Sequence, residues 1–260
     1  MPKTPKIVLW DIETSQNLAA VFQLAHNDYI NPENLIQERY IICAAWKMLG
    51  QKAVSTTATI DNAALFKKDH HNDRHVVTVL HKMLSEADVL IAHNGDQYDV
   101  KFAEGRMLFH GLPPLPPLLK IDTLKEARNR FLLNSNKLDY LGHYLGLGRK
   151  KHTSPGLWLR VLQGDAAAVK EMVRYNKQDV VLLERVFLKL QPYMATHVNR
   201  QLLGENSNSE GCPRCGSSHT KSKGLHHTLT RTYQRRYCLT CGGWFRNIKS
   251  DPMQTKVRVL

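Results

Sequence analysis

Two carboxylates interrupt a short apolar run near the N-terminus, KIVLWDIET from Lys6 to Thr14. Because side chains alternate between the two faces of a strand, Asp11 and Glu13 point in one direction while Trp10 and Ile12 point in the other. Two like charges on one face of a buried strand repel each other and lose hydration. A divalent metal ion between the carboxylates would offset both costs. A strand that ended at Trp10 would instead leave them solvated.

Further carboxylates follow at positions that could complete such a site. Asp99 follows a second buried run, DVLIAH, where a predicted strand passes into a helix, and ligand sites in α/β sheets gather at such strand ends. Asp179 lies on a long predicted helix one turn after Tyr175, so these two side chains share a helix face. Asp96 is a weaker candidate in the same loop as Asp99. Asp122 is predicted to cap a helix rather than to support the site.

Cysteines offer a second possible metal site. Two CxxC pairs near the C-terminus are separated by 22 residues, and their members are Cys212, Cys215, Cys238 and Cys241. Four thiolates in two such pairs fit one structural Zn²⁺ ion, which would drive the folding of so small a unit. A thioredoxin-like redox motif is the alternative, although no βαβ pattern surrounds the pairs. Three histidines could substitute as ligands, namely His219, His226 and His227. Cys43, in the apolar run YIICAAW, is predicted to be a reduced core residue.

The charge of the chain is strongly basic and uneven. Its 260 residues carry a formal net charge of +13, of which +8 falls between Ser207 and Leu260, where ten Lys or Arg face two acidic residues. Such an excess favours a polyanionic partner, and nucleic acid is the usual one. No apolar run of about 18 residues could span a membrane, and the N-terminus lacks the pattern of a signal peptide. We therefore expect an intracellular, cytoplasmic protein without membrane contact.

The elements that must position these groups alternate between strands and helices. Tyr40 to Met48 and Lys52 to Ala58 are predicted to form a hairpin around Gly50. Ala166 to Leu190 carries an apolar stripe typical of a long helix that faces a core. The order strand, hairpin, helix, strand, helix, strand, helices predicts an α/β fold with a mixed sheet flanked by helices. The His-rich segment Lys67 to His75 is expected to be a solvated loop.

A polar, glycine-containing segment separates this part from the cysteines. It predicts a larger α/β domain over residues 1–191, a linker over 192–210 and a small C-terminal unit over 211–260. Basic and aromatic residues alternate around the second cysteine pair, a pattern that suits phosphate contact and base stacking. Packing of this unit on the larger domain or on another protein is the alternative. The candidate nucleic-acid contacts are Asn94, Lys150, Lys151, Arg231, Tyr233, Arg235, Arg236 and Trp244. A solvated basic loop is an equally good interpretation of Lys150 and Lys151.

Three short motifs in order resemble those of the DEDD superfamily of 3′–5′ exonucleases, which includes the proofreading domains of DNA polymerases. The motifs are Asp11-x-Glu13, Asn94-x3-Tyr98-Asp99 and Tyr175-x3-Asp179. A tyrosine four positions before the last aspartate resembles the DEDDy subclass, whereas the DEDDh subclass would place a histidine at the position of Arg174. The resemblance covers roughly residues 6–190 and implies a ribonuclease H-like fold. The cysteine-rich segment is similar to zinc ribbons of transposases and other nucleic-acid enzymes.

The resemblance also implies a mechanism with two Mg²⁺ or Mn²⁺ ions. In it, Asp11 bridges both ions, and Glu13 and Asp179 complete the site of the ion that activates water. Asp99 supports the second ion, and Tyr175 orients the attacking water. The implied enzyme is a phosphodiester hydrolase that releases 5′ mononucleotides, and DNA is favoured over RNA because the motifs look more like proofreading domains than like ribonuclease D. A structure-specific endonuclease on the same fold and a catalytically inactive nucleic-acid-binding protein remain open.

Overall fold

The computed structural model describes residues 5–21, 30–150, 153–195, 199, 211–228 and 231–251. Ahead of the cysteine pairs, the described strands are β1 (Ile7–Thr14), β2 (Leu18–Ala19), β3 (Leu35–Gln37), β4 (Ile41–Met48), β5 (Ser55–Ala58), β6 (Val89–Ala92) and β7 (Leu119–Asp122). The described helices are α1 (Ala63–Lys68), α2 (Arg74–Ser85), α3 (Asp99–Phe109), α4 (Thr123–Arg130), α5 (Leu138–Tyr144), α6 (Leu157–Leu162) and α7 (Ala166–Leu190). None of these helices has the length and apolar content needed to cross a membrane.

A five-stranded mixed sheet with the order β5-β4-β1-β6-β7 forms the centre of the larger part. β1 pairs antiparallel with β4 and parallel with β6, and β6 pairs parallel with β7. β4 and β5 are antiparallel neighbours, so the predicted hairpin is confirmed. The α/β class with a mixed sheet flanked by helices is confirmed as well.

β1 loses one of its two neighbours halfway along its length. It pairs with β4 almost to its end, but its pairing with β6 stops at Leu9, opposite Ile91. Beyond that point the sheet opens on the β6 side, next to the second half of β1. A backbone N–H there needs another partner, and Ile12 N donates to Asp99 Oδ1 at 3.2 Å. The open position thus brings the start of α3 against the carboxylate-bearing half of β1.

The two faces of β1 pack against different helices, as the alternation of its side chains requires. Val8, Trp10 and Ile12 lie in a core cluster with α2, and Leu9 lies in a cluster with the buried side of α7. Asp11 and Glu13 share the face of Leu9, so they point toward α7. The predicted orientation of the two carboxylates relative to Trp10 and Ile12 is confirmed.

α7 has the predicted bounds and is 25 residues long. Asp165 caps its N-terminus, because its Oδ1 accepts hydrogen bonds from Ala167 N at 2.8 Å and Ala168 N at 3.3 Å. Carboxylates are favoured N-caps, since they accept from the first free backbone amides. The buried stripe of α7 includes Met172, Val180 and Leu183. One face of this helix therefore spans the sheet opposite β1 and β4.

The His-rich segment differs from the solvated loop that we expected. Asp73 has no exposed surface, and its carboxylate accepts from Arg106 Nε at 2.8 Å and from Arg106 Nη2 at 2.7 Å. His110 Nε2 lies 2.6 Å from Asp73 Oδ1, and Ile41 N donates to Oδ2 at 2.9 Å. His70 and His71 each place Nε2 near the carbonyl oxygen of Leu162. The expectation was wrong because Asp73, which no periodic pattern marks, joins α3 to β4.

The cysteine-rich part forms a three-stranded antiparallel sheet with the order β10-β9-β8. Its strands are β8 (Thr220–His227), β9 (Thr232–Cys238) and β10 (Trp244–Asp251). Arg214, only 9% exposed, joins this unit to the end of α7. Its Nη1 donates to Gln191 O at 2.6 Å and to Met194 O at 2.8 Å, and Gln191 Nε2 donates to Arg214 O at 3.0 Å. The predicted domain boundaries stay predictions, and residues 196–198 and 200–210 of the linker region lie outside the described residues.

Candidate functional site

Three carboxylates from β1 and α7 come together at the open side of the sheet. One oxygen each from Asp11, Glu13 and Asp179 lies within 4.8 Å of the other two, a grouping that could hold a metal ion. Asp11 and Glu13 lie there because they continue the face of β1 that begins with Leu9 and points toward α7. Asp179 arrives there because the buried stripe of α7 turns the same helix face toward the sheet. About 170 residues of sequence separate these groups.

Asp99 lies beside this cluster but outside the 4.8 Å grouping. It is the first residue of α3, is buried, and uses Oδ1 to accept from Ile12 N, between Asp11 and Glu13 in sequence. The preceding Tyr98 is also tied to β1, because its hydroxyl lies 2.6 Å from Thr14 Oγ1. The second motif is thereby attached to the end of the strand that carries the first.

The predicted role of Asp122 as a helix cap is confirmed. Its Oδ1 accepts from Leu124 N at 2.9 Å and Lys125 N at 3.3 Å at the start of α4. It also accepts from Asn94 N at 2.9 Å and Asp96 N at 3.3 Å. Asn94 is the one residue other than glycine with a positive φ (73°) in the described part of the chain. The cap therefore holds the loop of the second motif in a conformation that L-residues rarely adopt.

Lys150 reaches into the cluster from the loop after α5. Its Nζ lies 2.5 Å from Asp179 Oδ2, 3.4 Å from the hydroxyl of Tyr175, and 5.3 Å from the centre of that ring. Tyr175 stands one turn before Asp179 on α7, as its spacing predicts. Lys151, its neighbour among the predicted nucleic-acid contacts, lies outside the described residues. Lys150 is therefore part of the acidic cluster, although its side chain is 29% exposed, and its ammonium group offsets part of the carboxylate charge.

The pKa values of the carboxylates reflect burial and mutual repulsion. Burial, followed by the charges of Asp99, Glu13 and Asp179, raises the pKa of Asp11 well above its usual range. Burial raises the pKa of Glu13 to about 8, with Asp179 adding to the effect, and raises that of Asp99 to about 6. Burial also raises the pKa of Asp179, while Lys150 acts against it. The site favours protonated carboxyl groups unless additional positive charge enters it.

Asn176 is a residue of the site that the sequence pattern did not reveal. It is fully buried, and its Nδ2 donates to Asp11 Oδ2 at 2.7 Å. Its Oδ1 lies 3.9 Å from Cys43 Sγ, which can donate a weak hydrogen bond. Its spacing on α7 places it within the apolar stripe, so periodicity alone predicts a core position. The signal that could have found it is an amide side chain among apolar residues, which must find a partner when buried.

The four cysteines also come together, in agreement with their spacing. Their sulfur atoms all lie within 4.8 Å of one another, with 3.7 Å between Cys212 and Cys241 and 3.6 Å between Cys215 and Cys238. Four ligands at Zn–S distances of about 2.3 Å in a tetrahedron would stand roughly 3.8 Å apart. The thiolate set therefore fits Zn²⁺. The histidines considered as substitutes are not in the cluster.

The predicted nucleic-acid contacts of the small sheet divide between its two faces. Tyr233 and Arg235 lie on one face of β9. Trp244 on β10 lies on the same face, since it is paired with Tyr237 of β9. Arg236 lies on the opposite face, where its Nη2 donates to Thr220 Oγ1 at 2.6 Å. Arg231 lies in the β8–β9 turn, where its backbone N–H donates to Thr228 Oγ1.

Comparison with known proteins supports the fold. Residues 48–191, more than half of the chain, match the family RNase_H_2 of the RNase H superfamily. This chain belongs to the RNase H superfamily. The match covers Asp99, Tyr175 and Asp179 but begins after β1, so Asp11 and Glu13 join the site through the structure rather than through the match. No curated protein sequence matches the chain. Membership of the RNase H superfamily indicates a nuclease-type hydrolase that acts on nucleic acid.

Nucleases of the RNase H superfamily use divalent metals, and the acidic cluster fits such an ion. Its ligands are carboxylate oxygens, which Mg²⁺ and Mn²⁺ prefer. Asp179 Oδ1 is buried without a hydrogen-bond partner among the described residues. A buried carboxylate oxygen without a hydrogen-bond partner is costly unless a cation binds to it. This oxygen, together with the raised carboxyl pKa values, indicates a site built to receive positive charge.

Proposed function

We propose that this RNase H superfamily protein is a metal-dependent 3′–5′ exonuclease of the DEDDy subclass. It hydrolyses phosphodiester bonds of nucleic acid, with DNA favoured over RNA, and releases 5′ mononucleotides. The observation that carries the proposal is the convergence of Asp11, Glu13 and Asp179 within 4.8 Å, with Tyr175 one helical turn before Asp179. The order of the three motifs supports the 3′–5′ direction, and the likeness to proofreading domains supports DNA.

The four acidic side chains would hold two Mg²⁺ or Mn²⁺ ions. Asp11 would contribute to both, Glu13 and Asp179 would complete one position, and Asp99 would support the other. When bound, such ions supply a hydroxide near neutral pH and stabilise the leaving 3′ oxygen of an in-line displacement. Asn176 fixes the orientation of Asp11 by donating to its Oδ2. The rigid placement of these side chains on β1, α3 and α7 keeps the ligands in position.

Tyr175 would orient the attacking water. Burial, together with the charge of Asp179, raises the pKa of its hydroxyl to about 12. The phenol therefore keeps its proton at neutral pH and can donate a hydrogen bond to the water while accepting one from Lys150. Burial alone would lower the pKa of Lys150, but its contact with Asp179 raises it overall. Lys150 thus stays cationic and can contact a substrate phosphate at the edge of the cluster.

The zinc ribbon would assist substrate binding. Its sequence from Gly211 to Ser250 contains eight Lys or Arg and no Asp or Glu. Such a local excess attracts a polyanion and would add to the affinity of the enzyme domain. Asn94, Lys150 and the ribbon residues Tyr233, Arg235 and Trp244 are the contacts that we propose. Arg231 and Arg236 contribute charge to the same unit.

Digestion of a 5′-labelled single strand tests the proposal. With Mg²⁺, the label should appear in a ladder that shortens one nucleotide at a time, and EDTA should stop the reaction. Asp11→Asn should reduce the rate by more than about 100-fold, because a direct ligand matters more than the residues that orient it. Lys177→Gln, an exposed change on α7, is the matched control.

Each contrary result would select a different function. Large internal fragments at the earliest times would identify an endonuclease on the same fold. No cleavage of labelled DNA or RNA with either metal would identify an inactive nucleic-acid-binding protein. Equal rates for the Asp11→Asn variant and the unmodified chain would remove the acidic cluster from the mechanism.

A further inference from the structure

One face of the small sheet carries alternating cations and aromatic rings. Along β9 this face holds Tyr233, Arg235 and Tyr237, and the register of β10 places Trp244 opposite Tyr237 and Arg246 opposite Arg235. Directly paired residues of antiparallel strands share a face. Lys223 reaches the ring of Tyr237 from β8. We call these six residues the basic–aromatic strip; they are Lys223, Tyr233, Arg235, Tyr237, Trp244 and Arg246.

Each ring of the strip has a cation against it. The guanidinium carbon of Arg246 lies 3.8 Å from the centre of the Tyr233 ring, and that of Arg235 lies 5.0 Å from the Trp244 ring. Lys223 Nζ lies 5.5 Å from the centre of the Tyr237 ring. Tyr237 and Trp244 also contact each other, with their centres 4.9 Å apart. The strip is therefore a continuous layer of rings and cations across three strands.

The strip is exposed, whereas the other face of the sheet is occupied by its own contacts. Trp244 is 45% exposed, and the three cations of the strip are exposed as well, while its two tyrosines are half-buried. Cys238 and Arg236 belong to the opposite face, where the former is buried in the cysteine cluster. The exposed indole of Trp244 is costly in water unless a partner covers it. The strip contains no acidic residue, so its rings and cations together indicate a partner with both flat apolar groups and negative charge.

We propose that the basic–aromatic strip binds unpaired nucleic acid by stacking its bases on the rings and guanidinium planes. This inference rests on the proposed function and specifies the form in which the ribbon takes the substrate. Single strands expose base faces that stack on aromatic side chains and on arginine, while the backbone phosphates contact the cations. In a duplex the base faces are already stacked on one another, so that the rings of the strip would gain nothing from it. The strip thus selects a strand without a partner.

Binding of short oligonucleotides to the full chain tests the proposal. The Asp11→Asn variant prevents turnover, and fluorescence anisotropy is measured with three labelled ligands of equal length. These are an oligothymidylate, an abasic strand with the same sugar–phosphate backbone, and a blunt duplex. We expect the oligothymidylate to bind at least about fivefold more tightly than the abasic strand, because each stacked base adds affinity.

Variants at two positions of the strip separate stacking from charge. Trp244→Ala should weaken binding of the oligothymidylate at least about fivefold and leave the abasic strand unchanged, and Trp244→Phe should restore most of the loss. Arg246→Gln should weaken both single strands and lower the salt dependence of binding. Lys170→Gln, an exposed cation on α7, should change neither. Zinc content and circular dichroism show that each variant is folded.

Several outcomes would overturn the proposal. They are equal affinity for the oligothymidylate and the abasic strand, tighter binding of the duplex, and unchanged binding by the Trp244→Ala variant. Competition by polyglutamate as effective as that by the oligothymidylate would assign the strip to an acidic protein. Because the assay involves no cleavage, it remains decisive even if the chain proves to be inactive on labelled DNA and RNA. A negative result in this binding assay and a negative result in the cleavage assay can therefore be told apart.

Discussion

The ammonium Nζ of Lys150 lies 2.5 Å from Asp179 Oδ2, within a group of carboxylates that repel one another. In this position the lysine supplies positive charge that a metal ion would otherwise supply. Its charge opposes the rise in the pKa values of all four carboxyl groups, namely Asp11, Glu13, Asp99 and Asp179. Lys150 therefore competes with the proposed metal for the same carboxylate charge.

Replacing Lys150 by Met should tighten Mg²⁺ binding at about pH 9, which is above the raised pKa values of Glu13 and Asp99. Two unit charges about 4 Å apart interact by roughly 4 kcal/mol at an effective dielectric constant of 20, so the gain in affinity should be at least about tenfold. Isothermal titration calorimetry measures it, and Lys170→Met is the control. An affinity equal to that of the unmodified chain would show that Lys150 moves away at no cost.

Asn176→Ala should weaken Mg²⁺ binding and slow cleavage about 10- to 100-fold, which is the usual effect of losing a group that orients a ligand. The cause is the loss of the hydrogen bond that holds Asp11 Oδ2. Calorimetry and the rate on labelled DNA check this prediction. Lys177→Ala changes the exposed next residue of the same helix and should alter neither quantity. Full metal affinity in the Asn176→Ala variant would contradict the assigned role.

Stabilisation of the protein by Mg²⁺ should increase with pH. Glu13 and Asp99 have pKa values of about 8 and about 6 when folded, above their ordinary values of 4.5 and 3.8. Between the ordinary and the raised values the folded state binds more protons than the unfolded chain, so metal-free stability falls as pH rises through this window. Mg²⁺ needs the ionised groups, and its binding removes that cost.

We therefore expect Mg²⁺ to raise the melting temperature more at about pH 8 than at about pH 6, where protons compete for the same carboxylates. Differential scanning calorimetry with and without the ion measures the difference. The Asp11→Asn variant should lose most of the increment at both pH values. An increment that shrinks toward pH 8 would be incompatible with these carboxyl groups as the ligands.

Asp73→Ala should destabilise the fold by about 3 kcal/mol, since it removes a fully buried carboxylate and leaves a largely buried guanidinium without its partner. Arg106 and His110 both contact the Asp73 carboxylate, and both lie at the end of α3 or just beyond it. Urea unfolding measures the change. Asp69→Ala, at an exposed neighbouring position, should cost no more than about 0.5 kcal/mol. Equal effects of the two substitutions would show that the ion pair does not stabilise α3.

Arg214→Gln should loosen the attachment of the ribbon to α7. The variant loses hydrogen bonds to Gln191 O and Met194 O, each worth about 1.5–3 kcal/mol when the donor is charged. Hydrogen exchange of the amides of Gln191 and of residues 193–195 should become faster, with the zinc content unchanged. Lys221→Gln removes an exposed cation of the same sheet and should leave that exchange as it was. Unaltered exchange in the Arg214→Gln variant would exclude a role in docking.

The sequence predicted the acidic site because strand alternation and helix spacing each fix a direction. Asp11 and Glu13 follow from the period of two along β1, and Tyr175 and Asp179 follow from one turn of α7. The bounds of α7 were also predictable, because its apolar stripe is long and Asp165 is a favoured cap. The cysteine cluster followed from the spacing of its two pairs. These features follow from the spacing of residues that are close in sequence, so a single sequence is enough to predict them.

Contacts between distant segments could not be derived in this way. Nothing local shows that Lys150 lies on Asp179 or that Asn176 donates to Asp11, because each contact depends on how a loop or helix packs. The burial of Asp73 was missed since its neighbours are polar. Arg214 lies between two cysteines, where a surface position is the natural expectation for a basic residue. The charge pattern also grouped Arg236 with Arg235, although the alternation of side chains along β9 places them on opposite faces of the sheet.

α7 carries a ligand of one proposed metal site near its middle and holds the other metal unit at its end. Asp179 and Gln191 are twelve residues apart, which corresponds to about 18 Å along a helix axis. Because Arg214 hydrogen-bonds the carbonyl oxygen of Gln191, this length of helix separates the acidic cluster from the point where the ribbon attaches. A strand bound by both units would have to cover that separation, so the shortest oligonucleotide that benefits from the ribbon would depend on the length of α7.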